Sequence, residues 1–412
     1  MRHPPSLFDA RPNPVSTVIA ESVGLVGIDR MLHTVRKHLG MDVAFISRFR
    51  AQDRLFDHAD ADDPASPVQR GGSLSLQEGY CLKVVRGELP QCIPDTSALP
   101  AAQAIPATAA IPIGAHLSVP IVLSTGVVHG TLCCFRHQPD PSLGERDMQL
   151  MRAFADVIAD RIDEQHAAQR VQRETVARIR HAMDSGAPRI VYQPIYALRP
   201  QRLEGFECLS TFDLEPRRPP NVWFDAAAGA GLGTELELHA LHKALEMLPA
   251  FAPHLSLSIN CSPAAVLDGS LARTLEFADL SRIVVEITEH ATVDNYTTLA
   301  ATLQPLRDRG ARLAIDDAGA GYASMRHILN LQPDVIKLDM SITRGIDTDA
   351  SRRALARGLI LFAHDIGSGI TAEGVETEDE ARTLGDLGVD HLQGYLLGRP
   401  MPFDDARRCA MH

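Results

Sequence analysis

The second half of the chain is organised around Arg312-Leu313-Ala314-Ile315-Asp316-Asp317-Ala318-Gly319-Ala320-Gly321-Tyr322. The apolar residues at its start predict a buried strand, which ends in two adjacent carboxylates and a glycine-rich turn. Neighbouring acids repel each other, so a fold tolerates them at a strand end mainly where a cation or water compensates their charge. The stretch therefore predicts a strand end that binds metal.

Similar strands lie before and after this one, with helical segments between them. Two β-rich runs open the region, and six further runs follow, so that the predicted strands are residues 189–197, 203–212, 255–260, 283–286, 313–316, 335–339, 370–373 and 391–395. Thr377 and Glu380 predict a capping box at the start of a helix. About 230 residues of alternating strands and helices fit a (β/α)-barrel, an α/β fold whose chemistry lies at the carboxyl ends of the strands.

Polar side chains recur at those strand ends. They are Asn260, Glu286, Glu289, Asp316, Asp317, Lys337, Glu373, Glu376 and Gln393. One such residue alone is more often a helix cap or a surface group, but caps do not explain six strand ends in series. We therefore expect these side chains to meet at one rim of the barrel.

The types of ligand indicate the chemistry of this rim. Carboxylates and an amide oxygen, without a cluster of His and Cys, favour Mg²⁺ or Mn²⁺ over zinc. Adjacent acids suit two ions close together, which can activate water and screen an anionic phosphate. A lysine among carboxylates stays protonated and can orient the attacking water. Phosphodiester hydrolysis is the reaction class that these groups favour.

Bulk composition excludes several classes of protein. A chain of 412 residues predicts two domains, and the formal charge of −12 argues against a surface for polymeric nucleic acid. No apolar run is long enough to span a bilayer and the N-terminus has no signal-peptide core, so no membrane partner is expected. The seven cysteines are odd in number and irregularly spaced, which is typical of reduced thiols in the cytoplasm.

The first half of the chain predicts a smaller α+β domain. Residues 1–14 are expected to form a loose leader and residues 15–165 the domain, with a helix, a strand at residues 42–49, and a hairpin of strands at residues 116–123 and 127–135. The acidic segment around Asp60, Asp62 and Asp63 is expected to be an exposed loop. Residues 166–185 are expected to form a helical linker, which either pairs in a dimer and carries a signal or is a solvated extension of a capping helix.

This domain resembles a GAF sensor domain in the order of its elements and in two short motifs, Gly79-Tyr80-Cys81 and Leu117-Ser118-Val119-Pro120-Ile121. GAF domains bind cyclic nucleotides, tetrapyrroles or other small ligands, or only pair with themselves. The resemblance implies a small ligand or signal, which the sequence leaves unidentified. Cys81 is either a ligand or redox contact or a buried, inert thiol, and burial is the more usual role of such a cysteine.

The second domain, predicted at residues 186–412, resembles the EAL domain of cyclic-di-GMP phosphodiesterases. The motifs that carry the resemblance follow in the expected order over roughly residues 180–405: Gly205-Phe206-Glu207-Cys208-Leu209, Asn260, Glu286-Ile287-Thr288-Glu289, the stretch from Asp316 to Tyr322, Asp334-Val335-Ile336-Lys337-Leu338-Asp339, Ala372-Glu373-Gly374-Val375-Glu376 and Gln393-Gly394-Tyr395. The resemblance implies a modified (β/α)₈ barrel with one antiparallel strand. It also implies a homodimer that cuts cyclic-di-GMP to linear pGpG with two Mg²⁺ or Mn²⁺ ions.

The resemblance also implies roles for single residues. The first ion would be held by Glu207, Asn260, Glu286 and Asp316, and Asp317 would help to hold the second. Lys337 would bind the hydrolytic water, and Glu373 would be the base or a partner of the second ion. Glu289 would brace the loop from Ala318 to Tyr322, which couples the metal site to the dimer interface in this family. Three further residues would lie near substrate or support the site, namely Gln193, Glu376 and Gln393.

Some positions depart from the family pattern. Cys208 replaces the alanine of the signature Glu-Ala-Leu, Phe212 replaces a common Trp, and Ala318 and Ala320 replace the usual Phe and Thr of the loop. Thr211 stands where the family usually has an arginine that contacts substrate. Loss of such a contact costs about 1.5–3 kcal/mol, or roughly one to two decades of affinity. The alternatives to an enzyme are therefore a receptor that binds cyclic-di-GMP without cutting it and, less favoured, an interaction module with a vestigial barrel.

Overall fold

The computed structural model describes residues 27–287, 293, 295–319 and 322–411, and of Tyr322 and Ala323 it describes the backbone alone. The chain divides between Arg173 and Glu174 into two compact units. The expected leader at residues 1–14 and the expected bracing residue Glu289 lie outside the described residues. Within the described ranges, no helix is long and apolar enough to cross a membrane.

The N-terminal unit is built on a six-stranded antiparallel sheet. Its strands, in the order β3-β2-β1-β6-β5-β4 across the sheet, are β1 (Val43–Phe49), β2 (Asp53–Ala61), β3 (Ser73–Ser75), β4 (Cys92–Ile93), β5 (Ala115–Val122) and β6 (Val128–Arg136). The helices are α1 (residues 27–38), α2 (Tyr80–Val85), α3 (Pro100–Gln103), α4 (Pro106–Ala110) and the long α5 (Glu145–Asp184). The predicted strand and hairpin therefore form the centre of the sheet.

Two apolar layers cover the two faces of this sheet. Ala44 and Ile46 of β1 belong to a core formed with α1 and the first half of α5. Val43 and Phe45 alternate with them and belong to a second core formed with α2, α3 and α4. Successive residues of a strand point to opposite faces, so one strand contributes to both cores.

The expectation of an exposed loop around Asp60 is wrong. Asp60 lies within β2, and its carboxylate binds the guanidinium of Arg36, which is only 2% exposed. Asp62 and Asp63 follow the strand and are exposed as expected, although Asp62 also contacts Arg36 at 2.6 Å. The acidic segment is attracted to the sheet because a buried arginine needs carboxylate partners.

The C-terminal unit is a closed eight-stranded barrel. Its strands are β7 (Arg189–Leu198), β8 (Gln201–Thr211), β9 (Ser256–Cys261), β10 (Ile283–Ile287), β11 (Arg312–Ala318), β12 (Val335–Leu338), β13 (Gly369–Ala372) and β14 (His391–Gln393). β7 runs antiparallel to both of its neighbours, and the other neighbouring strands are parallel. The predicted barrel with one antiparallel strand is confirmed.

Helices surround this barrel. They are α6 (Pro220–Gly229), α7 (Gly233–Glu246), α8 (Pro263–Leu267), α9 (Ser270–Thr274), α10 (Tyr296–Asp308), α11 (Tyr322–Leu331), α12 (Met340–Thr343), α13 (Ala350–Asp365), α14 (Glu378–Leu387) and α15 (Phe403–Cys409). All five residues of β10 are buried, as is typical of a parallel strand covered on both faces. The predicted capping box of Thr377 and Glu380 is present at the start of α14.

Candidate active site

The strand register brings distant polar residues to one end of the barrel. Glu286 of β10 lies beside Asn260 of β9, and Glu207 of β8 lies beside Gln193 of the antiparallel strand β7. Since parallel strands present their carboxyl ends at one rim, residues far apart in sequence become neighbours there. The reversed direction of β7 explains why a residue in the middle of that strand joins the same group.

Lys337 is the centre of this group. Its side chain is 2% exposed, and four carboxylates surround its ammonium: Nζ lies 2.6 Å from Glu373 Oε1, 2.8 Å from Glu286 Oε2, 3.2 Å from Asp316 Oδ1 and 3.5 Å from Glu207 Oε1. Those carboxylates come from strands β8, β10 and β11 and from the end of β13. The predicted convergence of strand ends is therefore present in the geometry.

Three amide side chains fix the carboxylate of Glu207. Asn260 Nδ2 donates to Glu207 Oε1 at 3.2 Å, and Gln393 Nε2 donates to Glu207 Oε2 at 2.5 Å. Gln393 Nε2 also lies 3.2 Å from Gln193 Oε1, and Gln193 Nε2 donates to the backbone oxygen of Gly398 at 3.3 Å. This chain of amides holds Glu207 in one orientation, because each buried amide has a partner that fixes its own direction.

Asp316 and Asp317 reach the same rim through an irregularity in β11. Neighbouring residues of a regular strand point to opposite faces, but the pairing of β11 with β12 shifts between Ile315 and Ala318, and Asp317 has φ +52°. An aspartate tolerates this left-handed conformation better than most residues. Carboxylate oxygens of Asp316, Asp317 and Glu373 consequently lie within 4.8 Å of one another.

Burial changes the protonation of the site. Burial raises the pKa of Glu286 to about 8; Lys337 opposes that rise, whereas the charges of Glu207 and Asp316 reinforce it. Burial also raises the pKa of Glu373 well above its usual value. The charge of Lys337 opposes this rise, and the charges of Asp316 and Glu207 add to it. For Lys337 burial lowers the pKa, but the four surrounding carboxylates outweigh it, so the ammonium stays protonated.

The donor set fits hard divalent cations. Oxygens of Glu207, Glu286 and Asp316 lie within 4.8 Å of one another, as do those of Asp316, Asp317 and Glu373. Oxygen donors of this kind suit Mg²⁺ or Mn²⁺, and Asp316 belongs to both groups, so it can bridge two ions. Burial, reinforced by the charges of Glu207 and Asp316, raises the pKa of Glu286 against the pull of Lys337, so added positive charge would favour the ionised carboxylate.

Two of the predicted site residues do not belong to the group around Lys337 as the structure describes it. Glu376 follows β13 in the chain, and its exposed carboxylate binds Arg344 Nη2 at 2.5 Å and not Lys337. Glu289 lies outside the described residues. The roles of all the predicted site residues remain predictions, since geometry establishes proximity and not function.

Sequence reasoning missed three residues that support the site. Asp339 caps α12 by accepting from Ser341 N at 2.9 Å. Burial opposes its ionisation, but hydrogen bonds from Ser341, and after them one with Asp317, lower its pKa overall. Arg344 binds Glu376. Glu380 was expected only as a cap, yet it also accepts from the backbone of Gly345 at 2.7 Å. Asp339 lies within a motif already quoted, so its position two residues after Lys337 was the available signal.

Thr211 lies at the carboxyl end of β8, four residues after Glu207. Its Oγ1 donates to the backbone oxygen of Arg189 at 3.2 Å, across the pair of β8 with β7. Arg189 itself is exposed and binds Asp213 at 2.8 Å. Phe212, at the next position, stacks on Trp223 with 4.9 Å between the ring centroids. The threonine therefore secures the strand pair, and its side chain brings no positive charge to the rim.

Comparison with known proteins agrees with this architecture. Residues 176–400, more than half of the chain, match the model of the EAL domain, and residues 28–163 match the model of a GAF domain. The predicted order of a GAF domain followed by an EAL barrel is confirmed. The boundaries predicted for the leader, linker and domains remain predictions.

Three relatives illustrate the similarity. An uncharacterized protein of Mycobacterium bovis is 30% identical over 301 residues, covering 69% of this chain and 48% of its own length. A protein of Escherichia coli K12 named as a probable cyclic di-GMP phosphodiesterase, PdeA, is 31% identical over 238 residues. The match covers 55% of this chain and 32% of that protein. The solved structure of the EAL enzyme Bd1971, in its cAMP- and cyclic-di-GMP-bound form, matches with a TM-score of 0.57 and covers 90% of this chain and 93% of its own. At 17% identity this match supports the fold alone. The chain spans less than half the length of these two curated relatives.

Proposed function

The chain belongs to the EAL domain family, and on that premise we propose that it is a metal-dependent phosphodiesterase that opens cyclic-di-GMP to linear pGpG. One observation carries the proposal: four carboxylates surround the ammonium of Lys337 at 2.6–3.5 Å, at the end of the barrel where chemistry is expected. The name of the Escherichia coli relative, a probable cyclic di-GMP phosphodiesterase, points to the same substrate.

Two Mg²⁺ or Mn²⁺ ions are the proposed cofactors. Glu207, Asn260, Glu286 and Asp316 would hold the first ion, and Asp317 would hold the second with Asp316 and Glu373. Such ions polarise a phosphoryl oxygen and make water a stronger nucleophile at neutral pH. The buried amides of Gln193 and Gln393 keep the ligand Glu207 oriented, which is the usual task of groups behind a metal ligand.

The protein's own groups would handle the proton of the attacking water. Lys337 stays protonated, so its Nζ can donate a hydrogen bond to that water and hold it near the phosphorus. The pKa of Glu373 is raised well above its usual value, chiefly by burial, so its carboxylate is a stronger base than an exposed one and can accept the proton. The leaving 3′ oxygen would then take up a proton from the surrounding solvent.

We further propose the setting in which this enzyme works. The GAF unit would regulate the barrel in response to a small ligand, and the chain would form a homodimer through its barrel. The cytoplasm is the proposed location, because cyclic-di-GMP is an intracellular type of nucleotide signal and the free cysteines suit a reducing compartment. The negative formal charge argues for a small cyclic dinucleotide as the ligand and against polymeric nucleic acid.

A turnover assay with two matched variants tests the enzyme. Purified protein is mixed with cyclic-di-GMP and Mn²⁺ or Mg²⁺, and pGpG is separated by chromatography. Glu207→Gln should lose at least 100-fold in rate, because it removes a ligand and leaves its amide partners in place. Glu204→Gln, three residues earlier on the same strand, should keep the wild-type rate, since Glu204 binds Arg202 instead. Equal rates in the two variants would show that Glu207 holds no required ion.

Thr211 favours a second candidate function, a receptor that binds cyclic-di-GMP without hydrolysing it. The rim has no side-chain cation at this position, because the threonine hydroxyl serves the backbone of β7. Against this candidate, a receptor would not need a buried lysine and a base beside each other. Binding of cyclic-di-GMP by calorimetry, with no pGpG formed in either metal, would establish the receptor.

A further inference from the structure

Arg54, a buried arginine of the N-terminal unit, lies 5.7 Å from the centre of the Phe56 ring but binds no carboxylate among the described residues. Arg54 of β2 is 3% exposed, and its Nε and Nη1 have no hydrogen-bond partner among the residues that the structure describes. A buried guanidinium is stable only when anions or hydrogen-bond acceptors compensate its lost hydration, and an uncompensated one destabilises a fold by several kcal/mol. No described carboxylate binds this guanidinium, so another anion is needed to balance its charge.

Arg36, the other buried arginine that the structure describes in this unit, has carboxylate partners. Its guanidinium contacts both Asp60 and Asp62. The buried His58, which lies on the opposite face of β2 because the pairing with β1 shifts between Phe56 and His58, also has an acid beside it, with Nδ1 2.5 Å from Asp29 Oδ1. Among the described residues, Arg54 has no such carboxylate.

Arg54 lines a small cavity between the sheet and helices α2 and α4. Its polar neighbours in the lining are Cys81 and His116, and the remaining wall is apolar, with Phe45, Phe56 and Phe135 among its members. The space open to the centre of a water-sized sphere is about 20 Å³, and a single water needs roughly 10–15 Å³ by that measure. The cavity therefore has room for an ion of a few atoms and not for a nucleotide.

His116 offers a second donor to the same space. It is 1% exposed, its ring stacks on Tyr80 with 4.3 Å between centroids, and its Nδ1 has no hydrogen-bond partner in the described part of the chain. Burial, and then the charge of Arg54, lower the pKa of His116 to about 3, so the imidazole is neutral. A neutral imidazole carries one N–H, and that N–H can be directed to an anion.

Gly79 permits this position of the guanidinium. A Cβ placed on Gly79 would lie 1.8 Å from Arg54 Nη1 and 2.0 Å from Nη2. The φ of Gly79 is −141°, which any residue adopts, so the glycine is required here for space and not for its backbone conformation. Alanine at this position would displace the guanidinium without changing its charge.

We propose that this cavity, lined by Arg54 and His116, binds a small monovalent anion of halide or oxyanion type. The anion accepts hydrogen bonds from the guanidinium and supplies the negative charge that the described side chains lack around it. The competing anion is the thiolate of Cys81, whose pKa is lowered to about 5, mainly by the thiol of Cys133 at 3.5 Å and further by Arg54, against the effect of burial. The site is independent of the metal cluster in the barrel.

Calorimetric titration of the full chain tests the site. Formate, nitrite and chloride are each added to protein in a buffer free of these ions, and at least one should bind with one-to-one stoichiometry. Arg54→Met, which keeps the length of the side chain and removes its charge, should weaken that binding at least tenfold. Arg50→Met should leave it unchanged, because Arg50 is exposed and binds Asp53 at the surface.

Two further variants keep the test decisive. Gly79→Ala should weaken binding by a similar factor while retaining the arginine, and it replaces Arg54→Met if that variant does not fold. Cys81→Ser should bind the anion at least as tightly as the wild type, since it removes the competing thiolate. The proposal is overturned if the wild type binds none of the three anions, even where the Cys81→Ser variant binds one. It is also overturned if the Arg54→Met and Gly79→Ala variants bind the anion as tightly as Arg50→Met does.

Discussion

At the scale of single residues, the charge balance around Lys337 supports the proposed binding of metal. Four carboxylates and one ammonium give a formal charge of −3 when all of them are ionised. Burial and mutual repulsion raise the pKa values of Glu286 and Glu373 against the pull of Lys337, so protons partly neutralise the cluster. A divalent ion would replace those protons, because it brings two positive charges and binds carboxylates in their ionised form.

Metal affinity should consequently rise with pH. Glu286, with a pKa of about 8, holds a proton at neutral pH in the metal-free protein, and an ion must displace it. The dissociation constant for Mn²⁺ should fall between pH 6 and 8 by about tenfold per pH unit for each proton released, and level off above the pKa. Calorimetry in buffers of different ionisation enthalpy measures both quantities. The Glu286→Gln variant should bind Mn²⁺ more weakly, and its affinity should depend less steeply on pH. If the pH dependence were as steep as in the wild type, the displaced proton would belong to another group.

Thr211 should limit the affinity for substrate. An arginine in its place would project from the end of β8 toward the rim, and a charge-assisted contact with phosphate is worth about 1.5–3 kcal/mol. Thr211→Arg should therefore lower KM for cyclic-di-GMP by roughly one to two decades, with kcat little changed. Thr211→Val is the matched control, because it removes the hydroxyl that donates to Arg189 and adds no charge. Unchanged KM in the arginine variant would place the phosphate beyond its reach.

The carboxylate cluster could be predicted from sequence because Glu286, Asp316 and Glu373 stand at the ends of strand-like runs, whereas Glu207 was found through its motif. Asp316 and Asp317 show the limit of that reasoning. A regular strand would direct them to opposite faces, and only the shifted pairing and the left-handed φ of Asp317 bring both to one rim. Glu376 was grouped with the site by its motif, but the backbone after β13 carries it outward to Arg344. Backbone irregularities of this kind leave no periodicity in a sequence.

At the scale of elements, the strands that sequence reasoning located are those with continuous or alternating apolar residues. β10 and β5 are examples, and their observed bounds lie within one residue of the predicted ones. β2 was missed because two of its three buried residues, Arg54 and His58, are polar, and because its pairing with β1 shifts between Phe56 and His58, so hydrophobic alternation is almost absent. Partners from elsewhere in the fold, such as Asp29 for His58, are invisible before the chain is folded.

The loop between β13 and α14 should depend on the carboxylate of Glu380. This side chain is 5% exposed and accepts from the backbone N–H of Gly345 at 2.7 Å, Glu376 at 2.9 Å and Thr377 at 3.1 Å. Burial opposes its ionisation, but these hydrogen bonds lower its pKa overall. Glu380→Gln should destabilise the barrel by about 1–3 kcal/mol, since an amide NH₂ would face backbone donors.

Urea unfolding followed by the fluorescence of Trp223, the one tryptophan of the chain, measures this loss in the unit that contains the site. Glu378→Gln is the control, because Glu378 lies in the first turn of the same helix and is exposed. An equal shift of the unfolding midpoint in both variants would attribute the effect to helix charge and not to the buried hydrogen bonds.

At the scale of the whole molecule, α5 is the element shared by the two units. Its 40 residues run without interruption from Glu145 to Asp184, and the division between the units falls inside it at residue 173. Met148, Met151 and Ile158 of its first half are buried in the core of the N-terminal unit, and Ile179 and Ala182 near its end pack with Trp223 and other residues of the C-terminal unit. A helix anchored at both ends can transmit a change in one unit to the other.

The middle of α5 is therefore the place to test the proposed regulation. Val171 is 63% exposed and lies between the two anchored ends. Val171→Pro removes one backbone hydrogen bond and costs the helix about 3 kcal/mol, while the residues of both cores stay unchanged. If the N-terminal unit controls the barrel through this helix, turnover of cyclic-di-GMP should change by about fivefold or more, as is typical of coupling between sites, and the Mn²⁺ affinity should stay as it is.

Val171→Ala separates the effect of the helix from that of the side chain, because alanine favours the helix and should keep wild-type turnover. Light scattering on both variants records whether the oligomer changes with the rate. A loss of mass together with a change in rate would place the control in subunit pairing along α5, and a change in rate at constant mass would place it in the helix of each chain. Wild-type turnover in the proline variant would mean that the middle of α5 carries no signal to the barrel.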